Sequence, residues 1–582
     1  MIFDNHRVVK SAGDSLNYER PWLKFYGKDT IPNLKYPDRT LYEMLSDTAE
    51  AHPDLIAVEF MGTRIKFREL LVYVDVCARG LNEIGFKEGE VFTVCMPNVP
   101  HAIIIFYAIN KIGGIANMIH PLSAPKEIQY AMELTESKNI ITTDFLYKNI
   151  KAVRDEIGTK KIIICKMGDY LNTLLSLGFW ATSGRKIPKI AYDGDKALIK
   201  WMDLMEAGIK SSADVKSGKS ANDGAVILYS GGTTGKQKGI LLSSMNFNAL
   251  SVQLSSHQEA PMLADKMMCI MPLFHGFGLG VCMHTPVVLG ATIILVPKFS
   301  AEEFAKVFAK SKPQFMAGVP TLYEALLRSD IMKKADFSCL KGAFAGGDSL
   351  PEDVKHRFDT FMQERGGTIE LQEGFGLTET VTASCIMPKG HYKSGSVGIP
   401  CPDTIYKIFE HGTEIPCEIG TDGEICISGP TCMMEYYNEP EETALVRKVH
   451  SDGRVWIHTG DMGHMDEDGF VFFKLRIKRI IKSSGYSVYP TQIEEVINKH
   501  ESVVMSCVIG VPDDYQIEKI KAFVVTKEGF EKNDELKESL IKHCREYLAK
   551  WSTPREIEFR EELPMTKVGK IAYTELEREA RG

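Results

Sequence analysis

The chain has 582 residues, 44% hydrophobic and 25% charged, which is long enough for at least two hydrophobic cores. A formal net charge of −8 argues against a broad phosphate-binding face for nucleic acid. Thirteen scattered cysteines, the closest pair being Cys426 and Cys432, argue against a zinc ribbon or disulfide framework and fit a reducing, cytoplasmic setting.

Asp4, Arg7, Lys10 and Asp14 stand where a signal peptide needs an apolar core. Apolar runs at 91–96 (VFTVCM), 139–142 (NIIT), 161–165 (KIIIC), 225–229 (AVILY) and 267–271 (MMCIM) read as strands. They alternate with amphipathic helical stretches, the pattern of an α/β body with mainly parallel sheets. Within 170–190, Leu171, Leu174, Leu175 and Phe179 fall on one helical stripe, followed by Trp180, Arg185, Lys186 and Lys189. That combination suits peripheral contact with a membrane surface, and equally a helix packed on the body. Residues 269–297 carry no Asp, Glu, Lys or Arg, but Pro272, Gly276, Gly278, Gly280, Pro286 and Gly290 interrupt them. They read as a buried Gly-rich helix followed by a core strand at 291–296, not as a membrane span.

The charge-dense run 474–482 (KLRIKRIIK) marks a boundary. It predicts a large body at 1–475, a hinge at 476–482 and a small α+β domain at 483–582. In the small domain 491–498 and 535–549 have helical spacing, the latter with Leu536, Leu540, Ile541, Cys544 and Leu548 on one face; 503–511 and 522–526 read as strands.

The strongest local signal is 229–239 (YSGGTTGKQKG), directly behind a core strand. Glycine backbone approaches oxygens closely, hydroxyls and amides donate hydrogen bonds, and lysine neutralises charge, so the loop suits an anion. It is not a Walker A loop, because Gln237 follows Gly235 and Lys236. The loop resembles the phosphate loop of the acyl-adenylate-forming superfamily, closest to bacterial long-chain fatty acyl-CoA synthetases. The resemblance implies that Ser230, Gly231, Gly232, Thr233, Thr234, Gly235, Lys236 and Lys238 cradle the phosphates of ATP.

Further motifs follow in the order of that superfamily. Residues 373–380 (EGFGLTET) resemble its second active-site segment. There Phe375 and Gly376 would border the nucleotide, Thr378 would donate to the α-phosphate, and Glu379 would hold Mg2+ together with Thr233. Alone, a Thr-Glu pair is an ordinary helix cap. Gly346, Gly347, Asp348 and Ser349 resemble the turn that stacks adenine; by itself the turn reads as a helix N-cap in which Asp348 or Ser349 leads into PEDVKHRF. Asp461, in 458–461 (HTGD), and Arg476, fifteen residues on, resemble the ribose-binding pair. Lys478 occupies the hinge position, and Gly485 resembles the loop that serves the coenzyme A step. Lys570, in 564–570 (PMTKVGK), resembles the adenylation lysine. Its ammonium would ease the approach of a carboxylate to a phosphate, two groups of like charge.

For the acid itself, 273–278 (LFHGFG) places His275 where amino-acid-activating relatives carry an aspartate, and 317–326 (AGVPTLYEAL) resembles a pocket wall. His275, Gly318, Val319, Pro320 and Tyr323 are thus implied in binding an apolar acyl group. Five positions depart from the common pattern: Gln237, Glu435, Leu475, Arg479 and Tyr573; none removes a group the chemistry requires. The resemblance implies an acyl-CoA synthetase fold with a mobile C-terminal domain. ATP, Mg2+ and coenzyme A are the implied cofactors, a medium- or long-chain fatty acid the substrate, and no nucleic acid is involved. An aryl-CoA ligase, an acyl-AMP ligase serving a carrier protein, and an inactive lipid-binding scaffold remain alternatives. The oligomeric state, a homodimer included, stays open.

Overall fold

The computed structural model describes residues 8–9, 19–27, 30–171, 187, 190–230, 237–256, 261–298, 300–479, 481–483, 486–513, 517–548, 550–566 and 570–581. The chain divides into two compact units: Met1–Tyr406 with Ile427–Ile457, and Lys407–Cys426 with His458–Gly582.

The first unit is built on two large sheets. One runs in the order Glu435–Tyr436, Lys238–Ser243, Gly224–Ser230, Ile115–Met118, Val91–Cys95, Asn139–Thr143, Lys161–Cys165, Leu198–Lys200. From Gly224–Ser230 through Leu198–Lys200 the neighbours are parallel, and the apolar runs Val91–Cys95 and Lys161–Cys165 are buried nearly throughout, as two helix-covered faces require. The other runs Ile399–Pro400, Cys385–Ile386, Leu371–Phe375, Gly342–Gly346, Phe315–Gly318, Lys266–Cys269, Thr292–Leu295, Ile56–Phe60, Thr63–Lys66. Its six central strands, from Leu371–Phe375 to Ile56–Phe60, are parallel.

The charge-free stretch forms a π-helix, Phe277–His284, continuing into the helix Thr285–Leu289, which Gly290 ends in the left-handed region. The strand Thr292–Leu295 follows. Among the described residues no helix is long and apolar enough to cross a membrane. Of the stretch 170–190, residues 172–186 and 188–189 lie outside the described residues.

The strand Val455–Met465, of which His458 onward belongs to the second unit, forms an antiparallel hairpin with Val471–Arg476. Arg476 therefore closes a strand, and Lys478 lies in the single turn Ile477–Arg479 that follows. A further sheet has the order Tyr486–Val488, Ile481–Ser483, Ile517–Thr526, Val503–Asp513, with Glu556–Arg560 parallel to Ile517–Thr526. The helices Pro490–Asn498 and Asp534–Tyr547 cover it, and the latter starts on Asn533, whose side chain accepts from Leu536 N. Leu540 and Cys544 of the predicted apolar face are fully buried in that core, with Leu536, Ile541 and Leu548 packed beside them.

Candidate active site

In the second sheet the predicted segments leave neighbouring strands at one edge. Gly318 pairs with Ala345, Ala345 with Glu373, and Gly346 with Gly374, all in parallel register. The segments 318–323, 346–349 and 375–379 thus emerge side by side at the carboxyl ends of three adjacent strands, and 273–278 follows the fourth, Lys266–Cys269. Ligands of open α/β sheets bind at this edge.

Gly318 ends its strand, Val319 precedes the helix Pro320–Arg328 and Pro320 opens it; all three are buried, as is Tyr323, whose hydroxyl donates to Phe344 O. His275 is half-buried and its Nδ1 accepts from Phe277 N at 3.2 Å, so the neutral ring carries its proton on Nε2. Gly346 ends its strand and Gly347 adopts φ +87°, a turn glycine accepts freely. The N-cap reading of this turn is corrected. The next helix is Glu352–Gln363, its N-cap is Pro351, and no side chain caps it; Ser349 N donates to Asp348 Oδ1 instead.

Glu373, which sequence reasoning passed over, accepts from Leu350 N at 3.0 Å. Burial pushes its carboxyl up to about 7, the Leu350 amide opposes this, and the charge of Asp348 adds to it. A carboxyl raised in this way gives up its charge more readily than an ordinary glutamate, which softens the negative potential at an anion-binding edge.

Thr378, Glu379 and Thr380 form a single 3-10 turn held by Thr380 Oγ1, which accepts from Leu377 N. Val381 and Thr382 follow at φ +52° and +81°. Consecutive left-handed β-branched residues are rare and strained, and such strain clusters at functional sites. Tyr436 hydroxyl donates to Glu379 Oε1 at 2.8 Å, while the other carboxylate oxygen makes no hydrogen bond among the described residues. A carboxylate group with an oxygen to spare fits a hard divalent cation such as Mg2+.

The glycine-rich loop joins the antiparallel strands Gly224–Ser230 and Lys238–Ser243, with Ser230 opposite Lys238. Gly231, Gly232, Thr233, Thr234, Gly235 and Lys236 lie outside the described residues, as does Gly485. Lys238 forms an ion pair with Glu442, and its ammonium lies 4.7 Å from the Tyr436 ring centroid.

In the second unit Asp461 and Arg476 are directly opposite on paired strands, with Arg476 Nε 3.1 Å from Asp461 Oδ1. The turn presenting Asp461 is pinned by Glu424: its Oε2 accepts from His458 Nδ1 and its Oε1 from Gly460 N, each at 3.1 Å. Thr459 Oγ1 donates to Ile425 O and accepts from Asp461 N. Burial alone would raise the Glu424 carboxyl, but the His458 contact, the Gly460 amide and His411 hold it at about 2. Because this lies below the ordinary 4.5, the stabilisation is complete above pH 4.5 and disappears as pH falls towards 2. The wild-type chain is expected to lose about 3 kcal/mol more than Glu424→Gln across that window, measured by urea unfolding at stepped pH. Equal losses would show that the pair does not hold the turn.

Lys570 is half-buried. Its amide donates to Thr566 Oγ1 at 3.0 Å, Thr566 N donates back to Lys570 O at 2.6 Å, and Ala572 N donates to Pro564 O at 2.8 Å.

Comparison with known proteins agrees with this architecture. The family description "AMP-binding enzyme" matches residues 45–437, and "AMP-binding enzyme C-terminal domain" matches 492–570. A long-chain-fatty-acid–CoA ligase of Bacillus subtilis (strain 168) is 34% identical over 556 residues, covering 95% of this chain and 97% of its own. One from Salmonella typhimurium is 32% identical over 575 residues, covering 97% and 99%. The ATP-bound crystal structure of MatB from Rhodopseudomonas palustris shares the fold at a TM-score of 0.79 and 24% identity, covering 93% of this chain and 99% of that one. Motif order, strand-edge placement and these near-full-length matches lead to one assignment: the chain belongs to the AMP-binding enzyme family.

Proposed function

We propose that this chain is an AMP-forming acid–thiol ligase that activates a medium- or long-chain fatty acid with ATP and transfers it to coenzyme A. The observation that carries the reading is the alignment of 318–323, 346–349 and 375–379 at one edge of a parallel sheet, with Glu379 held by Tyr436. The relatives of matching length are named as long-chain-fatty-acid ligases, which favours the fatty acid.

In the first step a carboxylate oxygen bonds to the α-phosphorus of ATP, the bond from that phosphorus to the β-phosphate bridge oxygen breaks, and pyrophosphate leaves. Thr378 would donate to the α-phosphate, Asp461 and Arg476 would hold the ribose, and the Lys570 ammonium would lie between the approaching anions. Glu379, with Thr233, would hold Mg2+, which offsets charge on the phosphates. In the second step the coenzyme A thiolate attacks the acyl carbon and AMP leaves. The turn at 476–482 would be the hinge between the two steps, since a few residues absorbing a φ/ψ change suffice.

Apolar surroundings support a hydrocarbon chain. Leu279, Cys282, Met283 and Val287 are buried beside Val319 and Tyr323 in one core. His284 adds no charge there. Tyr107 hydroxyl donates to its Nδ1, its Nε2 donates to Asn248 Oδ1, and burial holds its pKa down at about 3. Release of AMP and pyrophosphate measured with acids from acetate to oleate, and with cinnamate, tests the reading. With coenzyme A present, kcat/KM for palmitate or oleate should exceed that for acetate by at least about a hundredfold, since each buried methylene contributes about 0.8 kcal/mol. A preference for cinnamate or acetate would overturn the fatty acid, and AMP release that ignores coenzyme A would overturn the thiol acceptor.

A further inference from the structure

The segment EYYNEPEET, where Glu435 replaces a common glycine, has no part in the steps above. The structure puts it against the carboxylate that would hold the cation. Its short strand Glu435–Tyr436 pairs with the strand leaving the phosphate-loop hairpin, Ile240 opposite Tyr436 and Leu241 opposite Glu435. Main-chain bonds tie the segment and the residue two before it to both neighbours: Met433 N donates to Glu379 O at 2.8 Å, and Tyr437 N to Gly239 O at 2.7 Å. Tyr436 is 5% exposed, and its hydroxyl donates to Glu379 Oε1 at 2.8 Å.

We infer that Tyr436 is the positioning residue for Glu379, fixing which carboxylate oxygen faces the divalent cation, and that Lys238 strengthens this hold through the tyrosine ring. The inference rests on the reading of Glu379 as the cation's ligand. A phenol hydroxyl that donates to one carboxylate oxygen removes one rotational choice. The lone pairs of the second oxygen are left pointing away from the tyrosine. The Lys238 ammonium over the ring draws electron density from the phenol, which makes the hydroxyl a better donor. Glu442, about half exposed, keeps Lys238 there through its ion pair. A lysine expected to serve only the phosphates thereby links the loop's exit strand to the cation's carboxylate.

Direct cation binding tests this. Mn2+ binding to the full chain is measured by electron paramagnetic resonance with a non-cleavable ATP analogue present, and thermal unfolding is followed in parallel. Tyr436→Phe keeps the ring and the lysine contact and removes only the hydroxyl. Its Kd for Mn2+ should rise about tenfold, the size of effect seen when a ligand's hydrogen-bonding partner is lost. Glu379→Gln should weaken binding by at least about a hundredfold, and Glu442→Gln by about twofold, in the same direction. An unchanged Kd in Tyr436→Phe beside a hundredfold loss in Glu379→Gln overturns the inference alone. An unchanged Kd in both removes the cation reading of Glu379 as well. If Tyr436→Phe does not fold, Glu442→Gln, altered at a half-exposed side chain, decides: a weakened Kd upholds the inference and an unchanged one overturns it.

Discussion

Replacing Lys570 with alanine should lower the rate of adenylate formation by about a thousandfold, while thioester formation from supplied acyl-AMP stays within about threefold of wild type. The two steps make different electrostatic demands. In the first, a carboxylate must meet a phosphate, and negative charge accumulates before pyrophosphate departs. An ammonium between them lowers that barrier more than it lowers the ground state. In the second, the attacked carbon belongs to a mixed anhydride whose activation is already complete. The contacts between Lys570 and Thr566 use the lysine's backbone, so alanine leaves them in place. Lys570→Arg serves as the control. It keeps the charge but broadens it into a planar fork, so partial recovery is expected and full recovery is not. Single-turnover pyrophosphate release measures the first step, and coenzyme A consumption with synthetic acyl-AMP measures the second. Equal losses in both would show that the residue acts on something other than the approach of two anions.

Much of this site is legible in the sequence because its parts are local. The strand at 161–165 shows as a β-branched run buried on both faces, and the helix Asp534–Tyr547 shows through an apolar stripe that the core confirms. The motifs are legible for the same reason: glycine at turns, hydroxyls and carboxylates at fixed short spacing. What stays hidden is pairing across long separations. Tyr436 and Glu379 are 57 residues apart, and Glu424 and His458 are 34 apart. No periodicity announces either contact, since each depends on which strands become neighbours. The grouping of Lys407–Cys426 with His458–Gly582 is hidden for a similar reason, because the residues between them return to the first unit. The turn at 346–349 misleads in the opposite way. Asp348 and Ser349 satisfy every local rule for a helix cap, yet Pro351 places the first turn beyond their reach. Glu373 could have been suspected from sequence, because a carboxylate within a central parallel strand must be desolvated.

Gly376→Ala is expected to cost about 3 kcal/mol of stability and to depress adenylate formation more than tenfold in the protein that still folds. A Cβ at this position would lie 1.7 Å from Thr382 O, 2.4 Å from Thr382 C and 3.1 Å from Ala383 N. All three are backbone atoms, so no side chain can rotate away, and the main chain itself must shift. That main chain is the strained segment in which Val381 and Thr382 occupy left-handed conformations directly after the Thr378–Thr380 turn. Thr382 N also donates to Leu377 O, so a displaced Thr382 pulls on the turn that carries Thr378 and Glu379. Stability and chemistry therefore share one constraint here, which distinguishes Gly376 from a glycine such as Gly218, where a Cβ would only touch the Glu88 carboxylate oxygens at 3.6 and 3.8 Å. Urea unfolding and single-turnover pyrophosphate release, measured on both Gly376→Ala and Gly218→Ala, make the comparison. Unaltered activity in a destabilised Gly376→Ala would mean that the strained turn relaxes without moving Glu379, and the proposed mechanical link between the two would fail.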